Sequence, residues 1–147
     1  MDVITGSEEE TEKKAWEILK KALKNRGDSK KASVITFSGD LGSGKTVLVK
    51  GVAKALGVKE RVLSPTFVIE RRYKLKGNSN YSLLIHIDAY RLSSADDLKA
   101  IDWERSILSP DNIICLEWPE NVLSAIPQNS INVHLEVISE SERLLKY

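Results

Sequence analysis

Apolar residues recur at two different periods along this chain, and the switches between them mark its elements. Ala15, Ile18, Leu19 and Ala22 fall at helical spacing, with Trp16 and Leu23 beside them, which predicts an amphipathic helix. Ser7-Glu8-Glu9-Glu10 ahead of this stripe has the spacing of a capping box. Asn25-Arg26-Gly27-Asp28 ends the pattern, so the helix is expected from Glu8 to Lys24. Ser33 to Phe37 is a short, nearly continuous apolar run and reads as a buried strand. The helical period returns from Lys45 to Leu56, with Gly57 placed to terminate it.

Beyond that helix the period changes again. Pro65 bars Ser64 from helical geometry, so Val62 to Phe67 is expected to be an extended loop. Phe67 to Leu75 reads as a strand with charges on one face. Lys76-Gly77-Asn78-Ser79-Asn80 reads as a turn, and Tyr81 to Ile87 as the returning strand of a hairpin. A helical piece follows from Ser94, where Asp96 and Asp97 suit a first turn, and another covers Trp103 to Leu108. Asn112 to Glu117 is a short apolar strand. Ile131 to Ile138 alternates in the half-buried strand pattern. The tail from Ser139 to Tyr147 has no clear period and is expected to add a last edge strand.

One segment carries chemistry on its face. Gly39-Asp40-Leu41-Gly42-Ser43-Gly44-Lys45-Thr46 fits G-x-x-x-x-G-K-[ST] and lies between a predicted strand and a predicted helix, the context that the P-loop requires. Glycines let the chain turn tightly, and free amides at the helix start converge on an anion. Lys45 would place a cation at the β- and γ-phosphates, and Thr46 a hydroxyl on Mg2+. The expected ligand is a nucleoside triphosphate with Mg2+. The absence of an N-K-x-D guanine-reading segment favours ATP. The alternation of elements then predicts an α/β fold: a three-layer P-loop NTPase-like domain over residues 1–147. Its sheet is expected to be mixed and mostly parallel, with helices on both faces and an antiparallel hairpin.

Such a site also needs acids. His86-Ile87-Asp88-Ala89-Tyr90-Arg91 follows the apolar run Leu83-Leu84-Ile85, so Asp88 should emerge at the rim of the sheet. Its alternative role is to cap the next turn. Ile113-Ile114-Cys115-Leu116 ends in Glu117, and Pro119 stops the strand. Glu117 either meets Mg2+, directly or through water, or merely solubilises a strand end. His86 reads as a packing or hydrogen-bonding residue, and Trp118 as a packing residue or a cover for the site. Ser64-Pro65-Thr66 stands where P-loop proteins place a switch loop with hydroxyls that sense the γ-phosphate. Arg71, Arg72, Lys74 and Lys76 make the hairpin basic, either as a solvated face or as a contact for RNA or an acidic partner.

Composition narrows the picture a little further. The 22 basic and 21 acidic residues leave a net charge of +1, so the whole chain carries no polyanion-binding signature. No apolar run approaches the roughly 20 residues needed to cross a bilayer. Glu8, Glu9, Glu10 and Glu12 do not suit a signal peptide. The lone Cys115 has no internal partner for a disulfide and reads as a core residue. A cytoplasmic protein is expected.

Taken together, these segments resemble the TsaE (YjeE) family. The matching pieces are Ser7-Glu8-Glu9-Glu10-Thr11, Gly39 to Thr46 with Lys50-Gly51, Leu56-Gly57, Ser64-Pro65-Thr66-Phe67, His86 to Leu92, and Leu116-Glu117-Trp118-Pro119. The resemblance implies a small P-loop ATPase needed for threonylcarbamoyl modification of adenosine in tRNA. It implies that Leu41, Gly42, Ser43, Gly44, Lys45 and Thr46 hold the phosphates. Thr46 and Glu117 would hold Mg2+, Asp88 would serve hydrolysis with Lys45, and Thr11 would lie by the base. It further implies work alongside TsaD and TsaB, whose complex is reset by ATP hydrolysis, with tRNA near by and no membrane. One departure is Asp102, where the family usually has glycine after a short helix; another is the lack of a distinctive match after Ile131. The rival readings are a small-molecule kinase, against which stands the lack of an arginine-rich lid between Ser93 and Pro110, and a nucleotide-gated binding module with negligible turnover.

Overall fold

Ser33–Ser38 (β2), Leu83–Asp88 (β4) and Asn112–Glu117 (β5) are short apolar strands, and the computed structural model, which describes residues 1–77 and 80–147, sets them side by side in parallel. Strands apolar on both faces belong at the centre of a sheet. Ile131–Val137 (β6) extends the parallel part beyond β2. Glu70–Lys74 (β3) closes one flank antiparallel to β4, as the hairpin pattern predicts. Two residues of the intervening turn, Asn78 and Ser79, lie outside the described residues. On the other flank Arg143–Lys146 (β7) pairs antiparallel with β6, and Asp2–Thr5 (β1) with β7. The complete order is β1-β7-β6-β2-β5-β4-β3.

Helices cover both faces. Glu8–Arg26 (α1) begins where Ser7 Oγ accepts a hydrogen bond from Glu10 N at 3.1 Å, and Glu10 Oε2 accepts one from Gly6 N at 2.7 Å. Together with Lys45–Ala55 (α2), it packs Ile18, Leu19, Leu48 and Val52 onto Ile35, Phe37, Ile113 and Val133. The opposite face sets Ile85, Ile87, Ile114 and Leu116 under Leu98, Trp103 and Val122. Those covering residues come from the 3-10 turn Ala95–Ile101, from Trp103–Ile107 (α3) and from the loop after β5. Burying each large apolar side chain contributes about 1.5–3 kcal/mol, which fixes the sheet between its two layers. No helix among the described residues is long and apolar enough to cross a membrane.

Two expectations are corrected. The strand expected from Phe67 begins only at Glu70. The amides of Val68 and Ile69 both donate to Pro65 O, at 3.0 and 2.7 Å, and Ile69 takes φ 68. This turn leaves Phe67 89% exposed. The tail does form a strand, but not at the edge: β7 lies between β6 and β1, and β1 holds the edge instead. Asp102, the residue that stands in for the family's glycine, takes φ 56 and so adopts the left-handed geometry that the position demands.

Gly51 marks the closest approach of α1 and α2. A Cβ there would fall on the Glu12 carbonyl oxygen and lie 2.6 Å from Ala15 Cβ. Gly51→Ala should therefore lose about 1–2 kcal/mol in chemical denaturation, the overpacking outweighing alanine's better helix propensity; unchanged or raised stability would refute the tight crossing. Burial also pushes the Cys115 thiol well above its ordinary range. A thiol reagent should modify it only after unfolding, and rapid labelling of the native protein would contradict that burial.

Candidate functional site

The parallel register sets Phe37 beside Glu117, and Glu117 beside Asp88. Three strands thus end at one rim, and the glycine loop rises from the first of them. Gly39 has φ 140, and a Cβ on it would lie 2.5 Å from Leu135 O and 2.8 Å from Ser43 Oγ, so the loop fits its support only without a side chain there. The loop ends in Gly44, the N-cap of α2, which supplies no side-chain cap. The first-turn amides of α2 are left facing the hollow of the loop, with the positive end of the helix dipole behind them.

Charged side chains fill the rim. Lys45 Nζ donates to Gly39 O at 2.6 Å and Asp40 O at 2.8 Å, and lies 4.4 Å from the centre of the Trp118 ring. Burial holds its pKa below the ordinary lysine value, and Glu117 and Asp88 pull the other way. Glu117 is 3% exposed. Its Oε1 accepts from Thr46 Oγ1 at 3.0 Å and faces His86 Nε2 at 2.9 Å. Asp88 Oδ2 accepts from Thr66 Oγ1 at 2.9 Å, and Oδ1 from Tyr90 N at 3.0 Å. Ser64 Oγ lies 2.7 Å from Thr66 Oγ1. The loop expected to act as a switch is therefore fastened to the acid expected to act beside it.

These groups share one cavity of about 330 Å³, lined by Leu41, Gly42, Gly44, Lys45, Thr46, Val47, Ser64, Thr66, Asp88, Tyr90, Glu117 and Trp118. Trp118 holds φ 61, a backbone geometry that costs a non-glycine residue about 1–3 kcal/mol. Its ring packs 5.0 Å from Tyr90 while shielding Lys45, so the packing and covering roles coexist. The Thr46 hydroxyl and Glu117 carboxylate are hard oxygen donors in mutual contact. Among the described residues no cluster of three or more His, Cys, Asp or Glu side chains forms a metal site. A hydroxyl with one carboxylate fits Mg2+, which keeps waters and takes phosphate oxygens for its remaining positions.

A second cavity of about 350 Å³ adjoins the first through Gly42, Gly44 and Val47. Thr11 lines it with Gly6, Ser7, Glu140, Ser141 and Arg143. Thr11 Oγ1 donates to Ser7 O at 3.1 Å and lies 2.6 Å from Thr5 Oγ1, which ties this wall to β1. Arg143 Nε donates to Ser43 O at 3.1 Å. Sequence reasoning missed Arg143 because nothing local distinguishes β7. A larger cavity of about 620 Å³ touches Gly39, Asp40 and Trp118 but contains none of Lys45, Asp88 and Glu117. Of the basic hairpin residues, Arg72 is engaged by Glu70 at 2.6 Å and Ser106 at 2.7 Å, so its charge serves internal packing.

Comparisons with known proteins identify a family and a fold. The family model for the threonylcarbamoyl adenosine biosynthesis protein TsaE matches residues 5–145. A Mycobacterium tuberculosis protein named tRNA threonylcarbamoyladenosine biosynthesis protein TsaE is 36% identical over 115 residues, covering 74% of this chain and 67% of that one. Its namesake from Treponema pallidum is 33% identical over 111 residues, covering 76% and 78%. The crystal structure of YdiB from Bacillus subtilis matches with a TM-score of 0.70 and 25% identity, covering 99% of this chain and 82% of that one.

The Thr66–Asp88 bond is the side-chain fastening of the Pro65–Ile69 turn, and its loss is measurable. Thr66→Val should cost about 0.5–1.5 kcal/mol and speed limited proteolysis at the exposed Phe67-Val68 pair. Unaltered cleavage would show that Asp88 does not restrain this turn.

Proposed function

The chain belongs to the TsaE family of tRNA threonylcarbamoyladenosine biosynthesis, and from that premise we propose that it is a Mg2+-dependent ATPase subunit acting with TsaD and TsaB rather than transferring the threonylcarbamoyl group itself. One observation carries the reading: Lys45, Asp88 and Glu117 line a single cavity beside the start of α2. Leu41 to Thr46 would cradle the phosphates. The adjoining cavity beside Thr11 would take the nucleoside.

Each side chain has a task set by where it sits. Lys45 is held by carbonyls of its own loop, so an incoming phosphate needs only to replace those two acceptors. Its ammonium then neutralises charge on the β- and γ-phosphates. Thr46 and Glu117 would hold Mg2+, which when bound withdraws charge from the phosphate oxygens. Asp88 stands abreast of Glu117 and would position the water that attacks the γ-phosphate in line, either directly or through a second ordered water. The loop amides stabilise the equatorial charge that builds up. Asp88 is also bonded to Thr66, so a change at the γ-phosphate would reach the exposed Phe67 turn, where a partner protein could sense it.

Three measurements test this. Lys45→Ala should abolish productive ATP use, and wild-type hydrolysis in that variant would refute the role. Asp88→Asn should lower turnover by about 10²–10³ while ADP affinity stays near wild type; normal turnover would remove Asp88 from the reaction. A pull-down against TsaD and TsaB should recover a complex whose yield depends on ATP. Absence of turnover both alone and with those proteins would replace the ATPase by a nucleotide-gated binding module.

A further inference from the structure

His86 is fully buried, 0% exposed, in the middle of the sheet face that α1 and α2 cover. An aliphatic side chain of similar volume would fill that place without burying a polar ring. The imidazole instead directs Nε2 at Glu117 Oε1, 2.9 Å away, and its Nδ1 has no hydrogen-bond partner among the described residues. A carboxylate can only accept, so the ring proton lies on Nε2 and is donated to Glu117. Oε1 is thereby shared between His86 Nε2 and Thr46 Oγ1. The other oxygen, Oε2, takes no hydrogen bond from the described residues.

We propose that His86 is a positioning residue that pins Glu117 Oε1 so that Oε2 is presented to a divalent cation at the triphosphate cavity. The inference rests on the Mg2+ reading of Thr46 and Glu117 and deepens it. The Thr46 hydroxyl has two competing tasks, since it bonds Glu117 in this structure and would leave that bond to meet the cation. At that moment His86 Nε2–H is the remaining donor on Glu117 among the described residues. It comes from the floor of the sheet, where packing locks its rotamer, so the carboxylate keeps its orientation through metal binding and release. Partners of metal-ligating groups act in this way, and their removal typically costs 10–100-fold in metal affinity.

The test uses isosteres. A glutamine amide nitrogen occupies nearly the place of imidazole Nε2, and an asparagine nitrogen that of Nδ1. ADP affinity is measured with and without Mg2+ by calorimetry in wild type, His86→Leu, His86→Gln, His86→Asn and Glu117→Gln. Bound Mn2+ is followed in parallel by electron paramagnetic resonance. His86→Leu and His86→Asn should weaken Mn2+ binding, and the gain in ADP affinity that Mg2+ brings, by about tenfold. Metal-free ADP affinity should stay unchanged, and His86→Gln should recover most of the loss. If His86→Leu fails to fold, the glutamine and asparagine pair reads the same quantity. Wild-type metal dependence in His86→Asn, or an equal loss of metal-free ADP affinity, overturns the proposal. Glu117→Gln separates the two levels: if it keeps full metal dependence, the metal reading itself falls. If it loses that dependence while the His86 variants do not, only the role of His86 falls.

Discussion

Two carboxylates and an ammonium share a rim that water barely reaches, and most of the local structure serves to make that tolerable. Each isolated buried charge costs several kcal/mol unless hydrogen bonds or opposite charges offset it. Glu117 takes donors from the first turn of α2 and from β4. Asp88 takes one from the Pro65 turn and one from its own strand's continuation. Lys45 rests on two loop carbonyls under an aromatic face. Neither carboxylate is satisfied by its own strand alone. The electrostatics therefore bind together four stretches of chain that are distant in sequence, and a change at any one acceptor is felt by its neighbours.

The parallel register is what makes this convergence possible. Phe37, Glu117 and Asp88 are abreast because β2, β5 and β4 run the same way and stop together. A slip by one residue would turn each side chain to the opposite face. The apolar positions on both faces oppose such a slip, since Ile113 and Cys115 belong to one core and Ile114 and Leu116 to the other. The same alternation that packs the sheet also aims the acids.

Much of this was legible from residues alone, and the reason differs from place to place. The glycine loop announces itself because its chemistry is local: tight turn, free amides, lysine and threonine occur within eight consecutive positions. Asp88 and Glu117 were legible as polar ends of apolar runs. That they stand opposite one another was not, because register depends on pairings between positions far apart in sequence, Asp88 with Glu117 and Glu117 with Phe37. The Phe67-Val68 pair misleads a reading based on hydrophobicity. It is apolar but exposed, and the Pro65 carbonyl captures two amides that a strand would need. Asp2–Thr5 is too short to show a period, and the interior place of Arg143–Lys146 is visible only once its partner is known. Arg143 was invisible for the same reason. His86 reads from sequence as a packing or hydrogen-bonding residue, and its partner, Glu117, belongs to another strand.

The order of the strands in space has a consequence for how the molecule is made. Among the described strands β7 follows all the others in sequence, yet it fits between β6 and β1, which precedes them all. During synthesis β1 has no sheet to join until β7 has emerged from the ribosome. The pocket beside Thr11 and Arg143 gains its outer wall only at that point. A nascent chain would thus already possess its glycine loop while the pocket beside Thr11 is still open. Long-range pairing of this kind folds slowly, so that pocket is complete only once β7 has paired.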